Sequence, residues 1–205
     1  KNPKILVLGD LMIDHYLWGR CERISPEAPV QIVEIEKETK LLGGAGNVIK
    51  NLKALGAKVD VISVIGNDKT AEELKKFLNN INVSSEMLIT QKGRHTTKKT
   101  RIMASHQQVV RFDKEDKGDI NLDSQHKILK KFKQILKNYD VVLLSDYAKG
   151  IFSDFLTQEI IKYSNLLKVK VLVDPKGNNF NKYNGAYLLT PNKKEASIAT
   201  KIDIN

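Results

Sequence analysis

A chain of 205 residues, 41% hydrophobic and 28% charged, has the make-up of a soluble globular protein with one sizeable core. A single cysteine, Cys21, excludes an intrachain disulfide. With apolar runs as short as residues 5–8 and 141–144 there is no membrane-spanning helix, and no signal-peptide pattern opens the chain, so a cytoplasmic location is expected. The net charge of +10 invites a nucleic-acid partner, but the excess is Lys spread along the whole chain without a dense block or interleaved aromatics, so neither a nucleic-acid nor a membrane partner is expected.

Residues 4–8 form a short apolar run closed by Gly9-Asp10, the pattern of a buried strand ending in a turn. Asp10 and Asp14 stand at and just beyond that end, where carboxylates can accept hydrogen bonds from sugar hydroxyls. A strand-end turn with a capping Asp explains them equally well. Residues 15–41 contain the alternating stretch Gln31-Ile32-Val33-Glu34-Ile35, with a period of two. In residues 41–56, Gly43, Gly44 and Gly46 let the backbone turn sharply and approach a ligand while first-turn N–H groups of a helix point outward. Asn47 offers both donors and acceptors, which suits hydroxyls; a plain glycine-rich turn before a core helix is the competing reading. Val48, Ile49, Leu52 and Leu55 share one face of that helix, and Gly56 can end it. A second strand covers 59–65, and a helix over 70–80 carries Leu74, Phe77 and Leu78.

Residues 89–113 return to a period of two and concentrate hydroxyls, amides and cations, from Thr96-Thr97-Lys98-Lys99-Thr100-Arg101 to Arg111-Phe112-Asp113. Such a surface suits a phosphorylated polyol, or else is an edge ribbon charged against aggregation. All five arginines lie in segments 20–23 and 94–111, which points to an anion site or a paired interface. A helix over 124–138 leads to a buried strand at 141–144 and to Ser145-Asp146-Tyr147-Ala148-Lys149-Gly150. Asp146 and Lys149 would there meet a cleft or form a structural ion pair. After a helix at 153–167 and a strand at 169–173, Asp174-Pro175-Lys176 puts a lysine where it can reach a transferring phosphoryl group or stand as a surface cation. A strand at 186–189 precedes Asn192-Lys193-Lys194-Glu195, a helix start that is also a respectable capping box.

Strands alternating with helices, each strand a nearly continuous apolar run, imply an open, doubly wound, mostly parallel α/β sheet covered on both faces. Ligands of such sheets lie beyond the carboxyl ends of the strands, which selects Asp10, Asp146, Asp174 and Asn192. Segments 15–41 and 89–113 fall outside the alternation and read as extra strands projecting as a small β lid. No Walker motif and no Gly-x-Gly-x-x-Gly after the first strand occurs, and His15, His95, His106 and His126 lack metal-ligand spacing.

Gly9-Asp10 with Asp14, then Gly43-Gly44-Ala45-Gly46-Asn47, then Asn192-x-x-Glu195, in that order across nearly all 205 residues, make the chain resemble the ribokinase-like (PfkB) carbohydrate kinases. More narrowly, Ile24-Ser25-Pro26-Glu27-Ala28-Pro29-Val30, residues 96–113, the Ser145 to Gly150 motif and Asp174-Pro175-Lys176-Gly177 resemble the heptose 7-phosphate kinases of lipopolysaccharide core assembly. In many bacteria these are the first half of a bifunctional kinase and adenylyltransferase. The resemblance implies a ribokinase-like fold and transfer of a phosphoryl group from ATP, with Mg2+, to the anomeric oxygen of D-glycero-D-manno-heptose 7-phosphate.

On the same resemblance, Asp10, Asp14, Gly43, Gly44 and Asn47 orient the sugar, and Lys98, Arg101 and Arg111 meet its existing phosphate, with Asp146 and Lys149 also on the substrate side. Lys176 steadies the phosphoryl group in flight. Asn192, Lys193, Lys194 and Glu195 organise the nucleotide, Glu195 reaching the metal through water. Such chemistry needs positioning, charge neutralisation and exclusion of water, which a lid serves. A homodimer through the lid strands is a further expectation.

One departure stands out. The family places its base in a Gly-Ala-Gly-Asp motif downstream of the Asn-x-x-Glu helix, and none precedes Asn205; Gly44-Ala45-Gly46-Asn47 has asparagine where the aspartate is needed. Residues 1–205 are therefore expected to be the N-terminal part of a kinase domain, without the base and the C-terminal part of the fold, and inactive alone. The competing expectations are another sugar kinase, of ribose or fructose type, and a non-catalytic sugar-phosphate-binding module.

Overall fold

The computed structural model describes residues 2–104 and 107–204, so His106 lies outside the described residues. In chain order the elements are β1 (Lys4–Gly9), β2 (Leu11–Ile24), β3 (Gln31–Gly44), α1 (Ala45–Ala54), β4 (Lys58–Ile65), α2 (Lys69–Asn80), β5 (Leu88–Thr90), β6 (Thr97–Ala104) and β7 (Gln107–Lys114). They continue with α3 (Leu122–Ile135), β8 (Val141–Ser145), α4 (Asp154–Leu166), β9 (Lys170–Asp174), β10 (Leu188–Leu189) and α5 (Lys193–Thr200).

Leu6, Val7 and Leu8 of β1 are wholly buried because both faces of the strand are covered, the condition that its unbroken apolar run anticipates. β1 pairs in parallel with β4 and with β8, and the six strands run in the order β10-β9-β8-β1-β4-β5, all parallel. Side-chain parity divides the core. Ile5, Val7, Val59 and Val61 pack with Ile49 of α1 and Leu74 and Leu78 of α2. Leu6, Leu8, Ile62, Val142, Leu144 and Val171 pack on the other face with Ile128 and Phe132 of α3 and Leu156 and Ile160 of α4. Each such side chain, taken fully out of water, contributes about 1.5–3 kcal/mol before conformational entropy is set against it. Polar caps start the helices: Asp68 accepts from Ala71 N, Asn121 from Ser124 N and Ser153 from Leu156 N.

The segments with a period of two form a second sheet of order β3-β2-β6-β7, in which β2 and β6 are parallel and the outer pairs antiparallel. It reaches further than the sequence suggested at one end and less far at the other. β2 begins at Leu11, one residue after Asp10, and β3 runs to Gly44, because Leu11, Ile13 and Leu42 are apolar and root the ribbon in the main core. Residues 88–90, at the start of the second segment, belong instead to the main sheet, where Ile89 is buried beside β4. The helix expected over 124–138 starts at Leu122, and its last turn, Leu136–Asn138, tightens to a 3-10 turn. Leu55, placed by periodicity on the apolar face of α1, is 83% exposed: it is the C-cap, and the chain turns away at Gly56 with φ 87°. The strand at 186–189 shortens to Leu188–Leu189.

Candidate active site

From β1 the chain adds β4 and β5 on one side and then β8, β9 and β10 on the other, so the crevice at the reversal lies over the carboxyl ends of β1 and β8. A Cβ on Gly9 would stand 2.6 Å from Ala45 Cβ and 2.7 Å from Ser145 O, so only glycine lets the end of β1 meet α1 and β8 this closely. Asp10 comes next and is 3% exposed. Its Oδ2 accepts from Tyr147 N at 2.8 Å and Lys149 N at 3.2 Å, and Oδ1 has no partner among the described residues. Burial, and then the Asp146 charge, push its carboxyl up to about 6 despite those N–H groups. Asp10 thus anchors the turn after β8 from below.

Above it opens a cavity of about 400 Å³ lined by Met12, Asp14, Tyr16, Leu41, Leu42, Gly43, Gly44, Asn47, Lys99, Arg101 and Tyr147. Arg101 Nη1 donates to Asp14 Oδ1 at 2.6 Å, and its guanidinium lies over the Tyr16 ring at 5.2 Å. Burial works against the Arg101 charge, but the Asp14 carboxylate outweighs it and the net shift is upward. Asp14 Oδ2 fills the place a Cβ on Gly43 would take, 2.2 Å away, and Gly44 adopts φ 56° with Asp10 O only 2.4 Å from where its Cβ would be. Gly44 is therefore needed to bring β3 against the end of β1, and Gly43 to leave the Asp14 carboxylate its place. No side chain caps α1; Ala45 N donates to Asp10 O at 3.0 Å, and exposed Asn47 stands in the first turn. That leaves a helix start able to receive an oxygen-rich ligand.

Strand parity sorts the cations of β6 and β7. Lys99 and Arg101 share the cavity face, whereas Lys98 falls on the opposite face, where it faces His15 and, after burial, is what most lowers that imidazole's pKa. Lys98 is thus displaced from the cavity by its neighbour Lys99. Arg111 sits across from Arg101 in the β6–β7 register, shares its face and pairs with Asp113 at 3.2 Å. Arg20 and Arg23 instead pair with Glu36 and Glu34 across the outer half of the β2–β3 ribbon.

A second cavity, of about 240 Å³, is lined by Lys176, Gly177, Asn178, Asn192, Lys194, Glu195 and Ile198. Asn192 Oδ1 accepts from Glu195 N at 2.9 Å and Glu195 Oε2 accepts from Asn192 N at 3.0 Å, a complete capping box. Glu195 Oε1 accepts from Lys176 Nζ at 2.6 Å. Burial would raise Glu195, but Lys176 and the Asn192 N–H hold it below the usual range, and the same contact raises Lys176. The capping and site readings of Asn192 and Glu195 coexist, since the box also fixes the cavity wall. Lys193 is exposed and absent from that wall. Asp174 stands close by, raised by burial and then by the Glu195 charge. A divalent cation would relieve the raised Asp174 carboxyl, although no cluster of three metal-ligating side chains exists among the described residues. The donor set therefore fits a metal held largely through water and nucleotide oxygens.

Asp146 and Lys149 are engaged elsewhere. Asp146 Oδ2 accepts from Lys182 Nζ at 2.7 Å and Tyr183 Oη at 2.6 Å, and Lys149 Nζ donates to Glu115 Oε1 at 2.9 Å. Neither lines either open cavity, and the ion pair between them that the sequence allowed does not form; buried partners distant in the chain take both groups. Lys99, Tyr16 and Tyr147 line the first cavity without having been singled out. Parity on either side of Arg101 and Asp14 could have found the first two, two residues from each; Tyr147 lies within the Ser145 to Gly150 motif, which drew attention to Asp146 and Lys149 instead.

Residues 2–205 match the family described as pfkB family carbohydrate kinase. The Bifunctional protein HldE of Aliarcobacter butzleri (strain RM4018) is 58% identical over 204 residues, which cover 100% of this chain and 43% of that protein. The chain thus spans less than half the length of that relative. Among solved structures, the tetrameric inhibited form of phosphofructokinase-2 from Escherichia coli superposes with a TM-score of 0.75 at 19% identity, covering 99% of this chain and 66% of that one. Arabidopsis thaliana ribokinase complexed with ribose and ATP gives 0.69 at 17% identity, covering 98% and 64%. At such identities the likeness is one of fold.

Proposed function

We propose, on the premise that this chain belongs to the pfkB family of carbohydrate kinases, that it serves the ATP-dependent phosphorylation of D-glycero-D-manno-heptose 7-phosphate at its anomeric oxygen, giving the 1,7-bisphosphate. The observation that carries this reading is the pairing of Asp14 with Arg101 in a cavity that also holds Asn47, Lys99 and the open start of α1. The lining offers an acceptor and an amide for hydroxyls and, beside them, cations for a phosphate the sugar already bears. A sugar without a phosphate would leave Arg101 and Lys99 with only Asp14 and Asp113 as anions to meet.

In this reading Asp14 and Asn47 orient the sugar, Gly43 and Gly44 keep the backbone close, and Arg101 with Lys99 grips the 7-phosphate, Arg111 adding charge from the same face. Asp10 acts beneath them by fixing the turn that carries Tyr147. Lys176 neutralises charge that develops on the phosphoryl group, while Asn192, Lys194 and Glu195 hold the nucleotide. Mg2+, when bound with the nucleotide and reached by Glu195 through water, would neutralise phosphate charge. No Gly-Ala-Gly-Asp occurs among the 205 residues, so we place the general base outside them and expect residues 1–205 alone to turn nothing over. The second sheet is the lid, and its exposed Val109, Val110 and Phe112 are the surface through which a homodimer would form. Among the described residues no helix is long and apolar enough to cross a membrane.

The test is ADP release by the full-length protein with Mg-ATP and, in turn, heptose 7-phosphate, ribose, fructose and fructose 6-phosphate. Turnover should depend on heptose 7-phosphate. A higher kcat/KM with any of the others would overturn the substrate, and tight sugar-phosphate binding with no turnover would favour a non-catalytic binding module.

A further inference from the structure

We infer that Tyr147 is a catalytic residue whose hydroxyl, in the sugar cavity and on the turn beside the end of β9, donates a hydrogen bond to the phosphoryl group in transit beside Lys176. This deepens the kinase reading above and rests on it. Tyr147 lines the first cavity together with Asp14 and Asn47. The turn that carries it also abuts the end of β9: Ser145 pairs with Asp174 in the β8–β9 register and Asp146 N donates to Asp174 O at 3.0 Å, two residues before Lys176. The charges of Asp174 and Lys176 act on the Tyr147 hydroxyl ahead of that of Asp14.

The turn that carries Tyr147 is built to hold it still. Three consecutive backbone N–H groups are accepted by two buried carboxylates: Tyr147 N and Lys149 N by Asp10 Oδ2, and Ala148 N by Asp146 Oδ1 at 2.6 Å. Asp146 is fixed in turn by Lys182 and Tyr183, and the Tyr183 hydroxyl also accepts from Lys176 N at 3.3 Å, so one network positions both the tyrosine and the lysine. Two buried carboxylates spent on a five-residue turn, with a non-glycine residue held at φ 54° in its middle, is an expensive arrangement for a loop of no consequence. Burial and the Asp174 charge raise the phenol, which keeps it a neutral O–H donor at working pH. Such a donor adds to the Lys176 charge where electron density accumulates on equatorial oxygens, and its own proton stays on the phenol throughout.

The experiment compares full-length wild type with Y147F, using Mg-ATP and heptose 7-phosphate, after circular dichroism and a melting curve have matched the two. The variant keeps the ring and loses only the donor. kcat should fall by about 10- to 100-fold while both KM values move by less than about threefold. Affinity for ADP with aluminium fluoride and sugar phosphate should weaken by a similar factor, with affinity for ADP alone unchanged. Y147L, which loses the ring as well, should add a rise in KM for the sugar phosphate. A kcat within about twofold of wild type, or equal affinity for the fluoride complex, overturns the inference while leaving the kinase reading intact. Wild type that turns over neither heptose 7-phosphate nor any other sugar overturns both.

Discussion

The two sheets of this molecule solve opposite problems. The parallel sheet buries both faces of short strands under helix pairs, so its residues are selected for volume and shape. The second sheet runs β2 and β3 to 14 residues each and leaves their outer halves in water, so beyond the apolar root at Leu11, Ile13 and Leu42 polar contacts take over the anchoring. His15 Nε2 meets Glu38 Oε1 at 2.7 Å, and Lys40 Nζ reaches both Glu38 and Glu73 of α2 at 3.0 Å. A platform that must not deform thus stands next to a ribbon that exposes recognition groups, and the candidate site lies where the two join. The same residue type should therefore have very different weight in each. Phe132→Ala, in α3 under the parallel sheet and wholly buried, should cost about 3–5 kcal/mol in urea denaturation. Phe112→Ala, on β7 and 53% exposed, should cost less than about 1 kcal/mol and instead weaken self-association in sedimentation if the dimer proposed above exists. Equal losses would erase the contrast.

Within the second sheet the contrast repeats across its two faces. Arg101→Met should weaken heptose 7-phosphate binding by about a hundredfold in calorimetry, close to 3 kcal/mol, and leave ATP affinity unchanged. Lys98→Met, three residues earlier, should change that affinity by less than about twofold because its side chain leaves the sheet on the far side. A loss at Lys98 matching that at Arg101 would mean that the sheet binds phosphate on both faces.

Those two residues also mark how far the sequence could be read. The parallel sheet was legible because strands such as residues 5–8 and 141–144 are unbroken apolar runs between turn residues, and the capped helices between them have a clear period. Asp14, Arg101, Lys176, Asn192 and Glu195 were singled out through resemblance; the structure puts Asp14 and Arg101 on one cavity and Lys176, Asn192 and Glu195 on another, and the roles given to them are those proposed above. Lys98 was misplaced because one residue of register exchanges the faces of a strand, and a Lys-Lys pair carries no signal that tells which member points inward. Asp10 and Asp146 look like open strand-end carboxylates in the sequence. Their burial depends on Tyr147, 137 residues from Asp10, and on Tyr183, 37 residues from Asp146, and no local pattern encodes such pairings.

The buried Asp10 makes the junction between the sheets sensitive to pH in a direction that can be worked out. Its folded value of about 6 lies above the ordinary 3.8, so the folded state holds a proton over an interval in which the unfolded chain has released it. Its contribution to stability is therefore fully present below about pH 3.8 and is lost as pH rises through 6, by on the order of 2–3 kcal/mol. Asp10→Asn removes this term while keeping an acceptor for Tyr147 N. The difference in unfolding free energy between variant and wild type should drift in favour of the variant between pH 4 and pH 7. A constant difference across that range would show that Asp10 does not titrate there.

The smallest expected effect concerns the turn that carries Tyr147. Ala148 is exposed and holds φ 54°, a conformation that costs an L-residue about 1–2 kcal/mol and glycine almost nothing. Ala148→Gly relieves that strain but also lets the unfolded chain sample more conformations, which offsets part of the gain. The net should be a stabilisation of up to about 1 kcal/mol, visible as a small rise in the urea midpoint at constant slope. The turn's three N–H groups already have carboxylate acceptors, so the geometry around Tyr147 should survive the change. A kcat that stays at the wild-type value would then separate two causes that coincide in the native turn. The buried carboxylates place the tyrosine, and the backbone strain at Ala148 is a consequence of that placement rather than its source.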